Sequence, residues 1–220
     1  MPATRKTPPK TRRVRARGDS RAALFAAAAA AFAARGFDGA GVDEIAAAAR
    51  VNKAMLYYHF GNKRKLYNAV LADMFGAVAA GVTTIPARGL PPSAALEAFI
   101  DAIAAACGER PHFPAIWLRE LADEGRHLDP VIVPIVRGVL ETLGAILADG
   151  RRRGVFRPVH PLLVQFGIIG PLLVFLASAP ARARLLDGVP VPVLTTAAAI
   201  AHIKAATVAT VLADPSGESA

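Results

Sequence analysis

Cysteine is almost absent from this sequence: Cys107 is the single cysteine among 220 residues. One thiol cannot form a disulfide within the chain, so the fold must be stable without such a bond, and we expect the protein to work in the reducing cytoplasm. Cys107 lies in an alanine-rich stretch, where a small buried side chain explains it better than a catalytic nucleophile does.

Motifs of catalysis and metal binding are lacking as well. The sequence contains no glycine-rich phosphate loop, no His-Glu-x-x-His pair, no nucleophile elbow and no cysteine–histidine spacing typical of a metal site. Its five histidines are scattered, and an isolated histidine is more often a surface or hydrogen-bonded residue than a ligand or a base. We therefore predict that the protein is not an enzyme and uses no metal or cofactor.

Aromatic residues are few, at 6%, and strictly alternating polar and apolar positions are scarce, although 54% of the residues are hydrophobic. Alanine is the most abundant of these hydrophobic residues. An alanine-rich chain without strand periodicity favours helices. A chain of this length can form one large or two small hydrophobic cores. The composition therefore predicts an all-α protein.

Two basic stretches in the first third of the chain contain no acidic residue, and they concentrate much of the positive charge there; the formal net charge of the whole chain is +9. Residues 1–18 contain seven Lys or Arg residues and no acid, and residues 45–72 contain five and no acid. The first stretch also lacks apolar periodicity, so we predict a disordered basic tail. Such a tail could lie along DNA phosphates or in a minor groove, or it could add only nonspecific affinity.

The segment from Val42 to Phe60 predicts two short helices joined by a tight turn. Apolar residues recur at helical spacing from Val42 to Ala49, and Asn52 is a favourable N-cap for a second helix from Lys53 to Phe60. In that second helix Leu56 and Phe60 are spaced to anchor one face in a core. The remaining cationic and aromatic side chains suit a surface that meets phosphates and base edges.

The run Leu56-Tyr57-Tyr58-His59-Phe60, followed by Gly61-Asn62-Lys63, resembles the helix-turn-helix of the TetR family of bacterial transcriptional regulators. The resemblance extends from Arg21 to about Phe75. It departs from the family pattern in three places. Gly41 stands where a threonine often caps the first helix and contacts a phosphate, Arg50 replaces the common glycine of the turn, and Ala54-Met55 replaces the common Gly-Thr. The last departure changes the base-reading surface, so the operator sequence does not carry over.

The resemblance implies that the second helix enters the major groove of DNA. Base-edge contacts are expected from Lys53, Ala54, Met55 and Tyr58. Phosphate contacts are expected from Tyr57, His59, Lys63 and Arg21, while Gly41 occupies the position of the family's phosphate-contacting threonine. Two alternatives remain: Tyr57 and Met55 could pack inside the module, and Arg21 could simply be exposed.

The chain is expected to divide into a basic tail (1–18), a helix-turn-helix DNA-binding domain (19–65), a helical effector-binding and dimerisation domain (66–214) and a polar tail (215–220). The first helix is predicted to run from Asp19 or Ser20 to Arg35, with Gly36 as its stop. A long helix follows from Lys63 to about Gly81, and then a loop over residues 83–92 that is itself a candidate boundary. Further helices are expected at 93–106, 114–125, 131–153, within 158–181 and at 192–213.

By resemblance, the larger domain holds an effector pocket between its helices. The residues expected to line it, each of which could instead be ordinary core, are Ile103, Phe113, Trp117, Glu120, Leu121, Leu140 and Phe166. Such a mostly apolar lining suits an apolar or amphipathic small molecule, with Glu120 available to orient a polar end.

Residues 158–181 contain no Asp, Glu, Lys or Arg. A stretch of this length could span a membrane, but Pro161, Gln165 and Pro171 argue against that. A helix that is apolar all round also suits the centre of a helical bundle or dimer. The resemblance implies that this segment and the last helix pair with their copies in a four-helix dimer interface.

These features predict a TetR-like repressor that binds a palindromic operator in double-stranded DNA as a homodimer and is released by a small-molecule effector. We expect it in the cytoplasm, associated with the nucleoid. The alternative is a DNA-binding protein without an effector, either architectural or anchored in a membrane through residues 158–181.

Overall fold

A computed structural model describes the backbone of residues 10–213 and the side chains of residues 19–213. Within these residues the secondary structure is helical apart from one isolated antiparallel bridge, so the prediction of an all-α fold is confirmed. Predictions for residues 1–9 and 214–220 lie outside the described part. The helices are α1 (Lys10–Gly39), α2 (Val42–Ala48), α3 (Lys53–Phe60), α4 (Lys63–Val82), α5 (Pro92–Glu109), α6 (Phe113–Ala122), α7 (Ile132–Arg152), α8 (Pro161–Ala177), α9 (Ala179–Leu185) and α10 (Thr196–Val211).

The first helix begins earlier than predicted. α1 starts at Lys10, so residues 10–18 are helical rather than disordered, and neither Asp19 nor Ser20 is its cap. Lys, Arg and Ala are good helix formers, and adding residues to an existing helix is easier than starting one. The predicted stop holds in part, because Gly36 has a φ of 71° and kinks α1 there before it ends at Gly39.

The N-terminal unit is built around one face of α1. Leu24, Ala28 and Phe32 are fully buried. The ring of Tyr67, from the start of α4, packs edge-on against Phe32 and Phe37, with centroid separations of 4.8 and 5.2 Å. Such edge-to-face pairs add to the free energy of burial. This small core holds α2 and α3 against α1.

The chain divides into two compact units between Val70 and Leu71, inside α4. The sequence pattern instead predicts the boundary between residues 65 and 66, with the loop at 83–92 as a further candidate. That loop, with a short 3₁₀ turn at Pro86–Arg88, lies wholly in the second unit. Because α4 continues through this boundary, the composition of the sequence does not change there. The sequence pattern therefore does not reveal a boundary inside the helix.

In the second unit, α5 packs against α7 and α10, while α8 packs against α6, α7 and α10. α5 begins at Pro92, and Ser93 makes no capping hydrogen bond; proline at the first helical position needs no N–H partner. Cys107 is buried in this unit, and burial raises the pKa of its thiol to about 11. The thiol therefore stays protonated at neutral pH and acts as a small apolar core residue.

The uncharged stretch at 158–181 forms two helices rather than one. α8 has 17 residues, at the lower limit of the roughly 17–25 that a membrane span needs, and α9 is bent from it by 64°. Its residues Val164, Ile168, Leu172 and Leu173 are buried. By length and composition one other segment of the described chain, residues 63–88, could cross a membrane, but core helices of folded proteins meet the same criterion.

Candidate nucleic-acid interface

The turn between α2 and α3 is closed by backbone hydrogen bonds at the end of α2. The N–H of Arg50 donates to the carbonyl of Ala47, and the N–H of Val51 donates to that of Ala46, both at 3.0 Å. This pair of hydrogen bonds is a Schellman motif, in which the residue after the helix C-cap adopts the left-handed conformation. Arg50 takes that conformation with a φ of 55°, at the place where the TetR pattern has glycine.

Capping groups set where the two helices begin. The Oδ1 of Asn52 accepts a hydrogen bond from the Ala54 N–H at 2.8 Å, so the predicted N-cap of α3 is confirmed. Gly41 caps α2 without a side chain, and its N–H donates instead to Oε2 of Glu44 at 3.3 Å.

α3 has one buried and one exposed face. Leu56 and Phe60 are buried, at 0% and 8% exposure, as their spacing predicts. Tyr57 and Tyr58 are 47% and 61% exposed, so Tyr57 does not pack inside the module. Lys53 and Ala54 are also exposed, while Met55 is half-buried at the edge of the same face. Two exposed tyrosines beside a lysine form a surface that can contact both bases and phosphates.

Lys53 is not isolated on this face, because its ammonium lies 2.9 Å from Oδ2 of Asp43 in α2. The hydrogen bond that Lys53 donates to Asp43, together with the charge of this carboxylate, raises the pKa of Lys53 above its usual value. The pair is exposed to solvent, so it stabilises the fold little. The pair matters for DNA binding instead, because it places the negative charge of Asp43 beside a lysine that we expect to contact DNA.

His59 and Arg21 connect α3 to the start of α1. The Nε2 of His59 lies 2.9 Å from the Ser20 hydroxyl, and the Arg21 guanidinium stands 5.2 Å from the centre of the Phe60 ring. His59 is half-buried and Arg21 is exposed. Both side chains therefore help to hold α3 in place, whatever their contacts with DNA.

Lys63, at the start of α4, is likewise half-buried. Its ammonium lies 4.6 Å from the centre of the Phe37 ring and donates to the Asp38 carbonyl at 3.2 Å. These contacts tie α4 to the corner after α1. Sequence reasoning missed the three partners Ser20, Asp38 and Asp43, because each lies on another element and no spacing rule connects them to α3 or α4.

The residues predicted to line an effector pocket do not share one environment. Ile103, Phe113 and Glu120 are buried, Trp117 and Leu140 are half-buried, and Leu121 and Phe166 are 52% and 61% exposed. The two exposed residues therefore do not line an interior pocket of this chain. Glu120 is paired internally, since its carboxylate accepts from the N–H of His127 at 2.9 Å and lies 3.2 Å from Nδ1 of that residue. Trp117 packs edge-on against Phe75 at 4.8 Å.

Comparison with known proteins agrees with this geometry. The family described as "Bacterial regulatory proteins, tetR family" matches residues 24–70. The chain is 32% identical over 172 residues to the HTH-type transcriptional repressor SCO4008 of Streptomyces coelicolor, a match that covers 77% of this chain and 84% of that protein. It is 42% identical over 93 residues to the HTH-type transcriptional activator FasR of Mycolicibacterium smegmatis, covering 40% and 42% of the two chains.

Among solved structures, the TetR family transcriptional regulator PfmR from Thermus thermophilus has the same fold. The TM-score is 0.61 at 24% identity, over 84% of this chain and 94% of that one. The match to SCO4008 is longer than the N-terminal unit and so includes part of the second. The helix-turn-helix and the larger helical unit thus agree with one family, and the chain belongs to the TetR family of bacterial transcriptional regulators.

Proposed function

We propose that this regulator is a dimeric repressor that places α3 of each subunit in the major groove of a palindromic operator. The observation that carries the proposal is the two-faced character of α3, anchored by Leu56 and Phe60 and exposing Lys53, Ala54 and Tyr58. Lys53 can donate to the acceptors of guanine, and apolar Ala54 and Met55 can contact a thymine methyl group.

Phosphate contacts would fix the position of α3 on the duplex without reading sequence. We assign them to Tyr57, Arg21, Lys63 and His59. His59 has one ring nitrogen bonded to Ser20, which leaves Nδ1 for a phosphate oxygen. Gly41 has no side chain to make the contact of the family's threonine.

The dimer would form through α8 and α10, which pack together. The outer face of α8 exposes Leu163, Phe166 and Val174, at 69%, 61% and 54%, and a groove of about 370 Å³ between α8 and α10 lies beside Leu163. α10 contributes small exposed residues, Ala198, Ala201, Ala205 and Ala209. Exposed apolar residues grouped on two packed helices are typical of a protein interface, and a second copy offers the same surface in return. Half-site centres would then lie one helical turn apart, about 34–36 Å, or a multiple of it.

Release from DNA would follow when an apolar or amphipathic effector binds the second unit. The effector can shift the equilibrium only as far as it prefers the conformation that does not bind DNA, and coupling is usually about 1–3 kcal/mol. Such coupling weakens operator binding by roughly 5- to 150-fold.

Selection of bound duplexes from a random pool tests operator recognition. We expect the recovered sites to be palindromic, with half-sites spaced as above. Asymmetric sites, or no enrichment at moderate salt, would contradict the proposal. Tyr58→Phe and Lys53→Gln should then change the preferred bases, whereas Arg21→Gln should weaken binding to every sequence and reduce its salt dependence.

Sedimentation velocity tests the dimer. Phe166→Glu places a charge on the outer face of α8 and should yield monomers at micromolar concentration. Val131→Glu is the matched control, because Val131 is 63% exposed and is the N-cap of α7, outside α8 and α10. This variant should remain dimeric. If both variants stay dimeric, the interface lies elsewhere.

Effector release is tested by adding fractionated metabolites to the complex with selected operator DNA. A fraction that lowers operator affinity should also change the fluorescence of Trp117, the one tryptophan of the chain. Trp117→Phe removes this signal but should leave DNA release intact. If no fraction weakens operator binding, the protein is a regulator without an effector.

A further inference from the structure

An open cavity of about 520 Å³ lies in the second unit, where α7 ends and α8 begins. Its volume is within the range of small-molecule sites. None of the residues that the sequence predicts for an effector pocket lines it. The lining residues come from the last turns of α7 and the connection to α8: Gly144, Leu147, Ala148, Arg151, Arg152, Arg157, Pro158, Val159 and Pro161.

The connection from α7 to α8 is held in one conformation at Phe156. Phe156 forms an antiparallel bridge with Leu212, and the N–H of Arg157 donates to the carbonyl of Val211 at 2.9 Å. The Phe156 side chain is buried against Gly150, where a side chain on Gly150 would overlap the ring. Arg157 is thereby fixed at the wall of the cavity.

The guanidinium of Arg157 is itself oriented. Its Nε donates to the carbonyl of Thr210 at 2.8 Å. The other N–H groups of this side chain make no further hydrogen bond within the described residues. A guanidinium anchored on one edge keeps its remaining donors for an oxyanion, two of whose oxygens it can bind with parallel hydrogen bonds.

Positive charge is in excess around the cavity. Among the described residues, Asp149 is the one carboxylate that pairs with these arginines, and it is shared by Arg152 and Arg153, each at 2.8 Å. Arg151 and Arg157 have no carboxylate partner in the described part of the chain. The C-terminus of α7 offsets part of this charge, by about half an elementary charge. A net positive rim therefore remains.

Apolar side chains line the cavity beside the arginines. Leu147 and Ala148 come from α7, and Val159 comes from the connection to α8. A free inorganic anion would leave these apolar side chains in contact with water, and a neutral apolar ligand would leave the guanidinium groups without a partner. A ligand that satisfies both parts carries an acidic group on an apolar body.

We propose that this cavity binds a small amphipathic anion, with its carboxylate, phosphate or sulfonate group on Arg151, Arg152 and Arg157 and its apolar part on Leu147 and Val159. The inference names the class of the effector and in that respect rests on the proposed function. Binding at the cavity involves only the second unit and can be measured without DNA.

The probe is 8-anilinonaphthalene-1-sulfonate, whose fluorescence rises in an apolar site. We expect saturable binding of one dye per chain, weakened about tenfold in the full-length double variant with Arg151→Gln and Arg157→Gln, since each charge-assisted hydrogen bond contributes substantially. Arg153→Gln is the matched control, because Arg153 is the C-cap residue that follows α7 but does not line the cavity. The dye affinity of this variant should stay within about twofold of the wild type.

Three further measurements make the result specific. The uncharged analogue N-phenyl-1-naphthylamine should bind the wild type and the double variant equally, and octanoate should displace the sulfonate dye where octanol does not. The circular dichroism and Trp117 fluorescence of the double variant must match those of the wild type. If they do not, the single variant Arg151→Gln, which breaks no described contact, should still weaken dye binding several-fold.

Unchanged dye affinity in the arginine variants would overturn the inference, as would equal displacement of the dye by octanoate and octanol. Neither outcome affects the proposed function, which stands or fails on the selection of palindromic operators. Conversely, failure of that selection leaves the dye measurements unchanged.

Discussion

Arg50 provides a direct test of how this chain departs from its family. With a φ of 55° it lies in the left-handed region, which costs a residue with a Cβ about 1–2 kcal/mol and glycine almost nothing. Arg50→Gly should remove that strain while keeping the two hydrogen bonds that close the turn. Glycine also gains more conformational freedom in the unfolded chain, which offsets about 0.5–1 kcal/mol. The net stabilisation should therefore be about 0.75 kcal/mol, within a range of about 0–1.5 kcal/mol.

The measurement is urea unfolding followed by circular dichroism, together with hydrogen exchange of the amides in α2 and α3. Exchange is needed because the two units can unfold separately, and a single midpoint would then mix them. Arg50→Ala is the control, since it removes the same charge but keeps the left-handed strain. The difference between the glycine and alanine variants thus reports the backbone alone.

The reasoning is refuted if Arg50→Gly is no more stable than Arg50→Ala, or if its α2 and α3 amides exchange faster. Either result would mean that the left-handed conformation is not strained in this turn. A gain in both variants would instead indicate that the charge of Arg50, rather than its φ, destabilises the wild type.

Three further predictions follow from the structure. Gly150→Ala should destabilise the protein by about 1–3 kcal/mol, because the added Cβ overlaps the Phe156 ring. Gly138→Ala adds a Cβ that meets nothing within 4 Å and should stabilise α7 by up to about 1 kcal/mol. Thermal unfolding compares the two variants, and equal unfolding midpoints would contradict the packing argument. Asp43→Asn removes a carboxylate from the α3 face and releases Lys53, so affinity for duplex DNA should rise several-fold at low salt, and an unchanged affinity would place DNA elsewhere. Cys107, buried with a pKa of about 11, should react with iodoacetamide at pH 8 only after unfolding, as mass spectrometry would show; fast labelling of the native protein would mean that the site opens.

The helix-turn-helix could be predicted because its signals are local. The cap at Asn52, the spacing of Leu56 and Phe60 and the turn at Arg50 all act within a few residues, and the structure places each of them as expected. The contacts of its polar side chains are not local. Ser20 and His59 are 39 residues apart in the sequence, and Asp43 and Lys53 are 10 residues apart. Helical or strand periodicity does not relate residues at these separations on different helices, so the sequence pattern could not predict the contacts.

The proposed effector cavity could not be predicted for a related reason. The expectation rests on apolar helix faces, which are the same in a filled core and in a pocket lining. Exposed Phe166 and Leu121 satisfy that pattern as well as buried Ile103 does. The arginine-rimmed cavity instead depends on a bridge between Phe156 and Leu212, residues at opposite ends of the α8–α10 segment.

The bend between α8 and α9 shows why the absence of charged residues does not by itself indicate a membrane span in this region. Pro180, in the first turn of α9, lacks an N–H group, so it cannot continue the hydrogen bonding of α8. The corner is then closed by Arg182, which donates to the Phe175 carbonyl and to the Ser178 hydroxyl and places its guanidinium 4.0 Å from the centre of the Phe175 ring. Arg182 lies one residue beyond the uncharged stretch that suggests a span. A membrane span would bury this guanidinium in or near lipid at a high free-energy cost, whereas in the folded unit the same charge satisfies the end of α8.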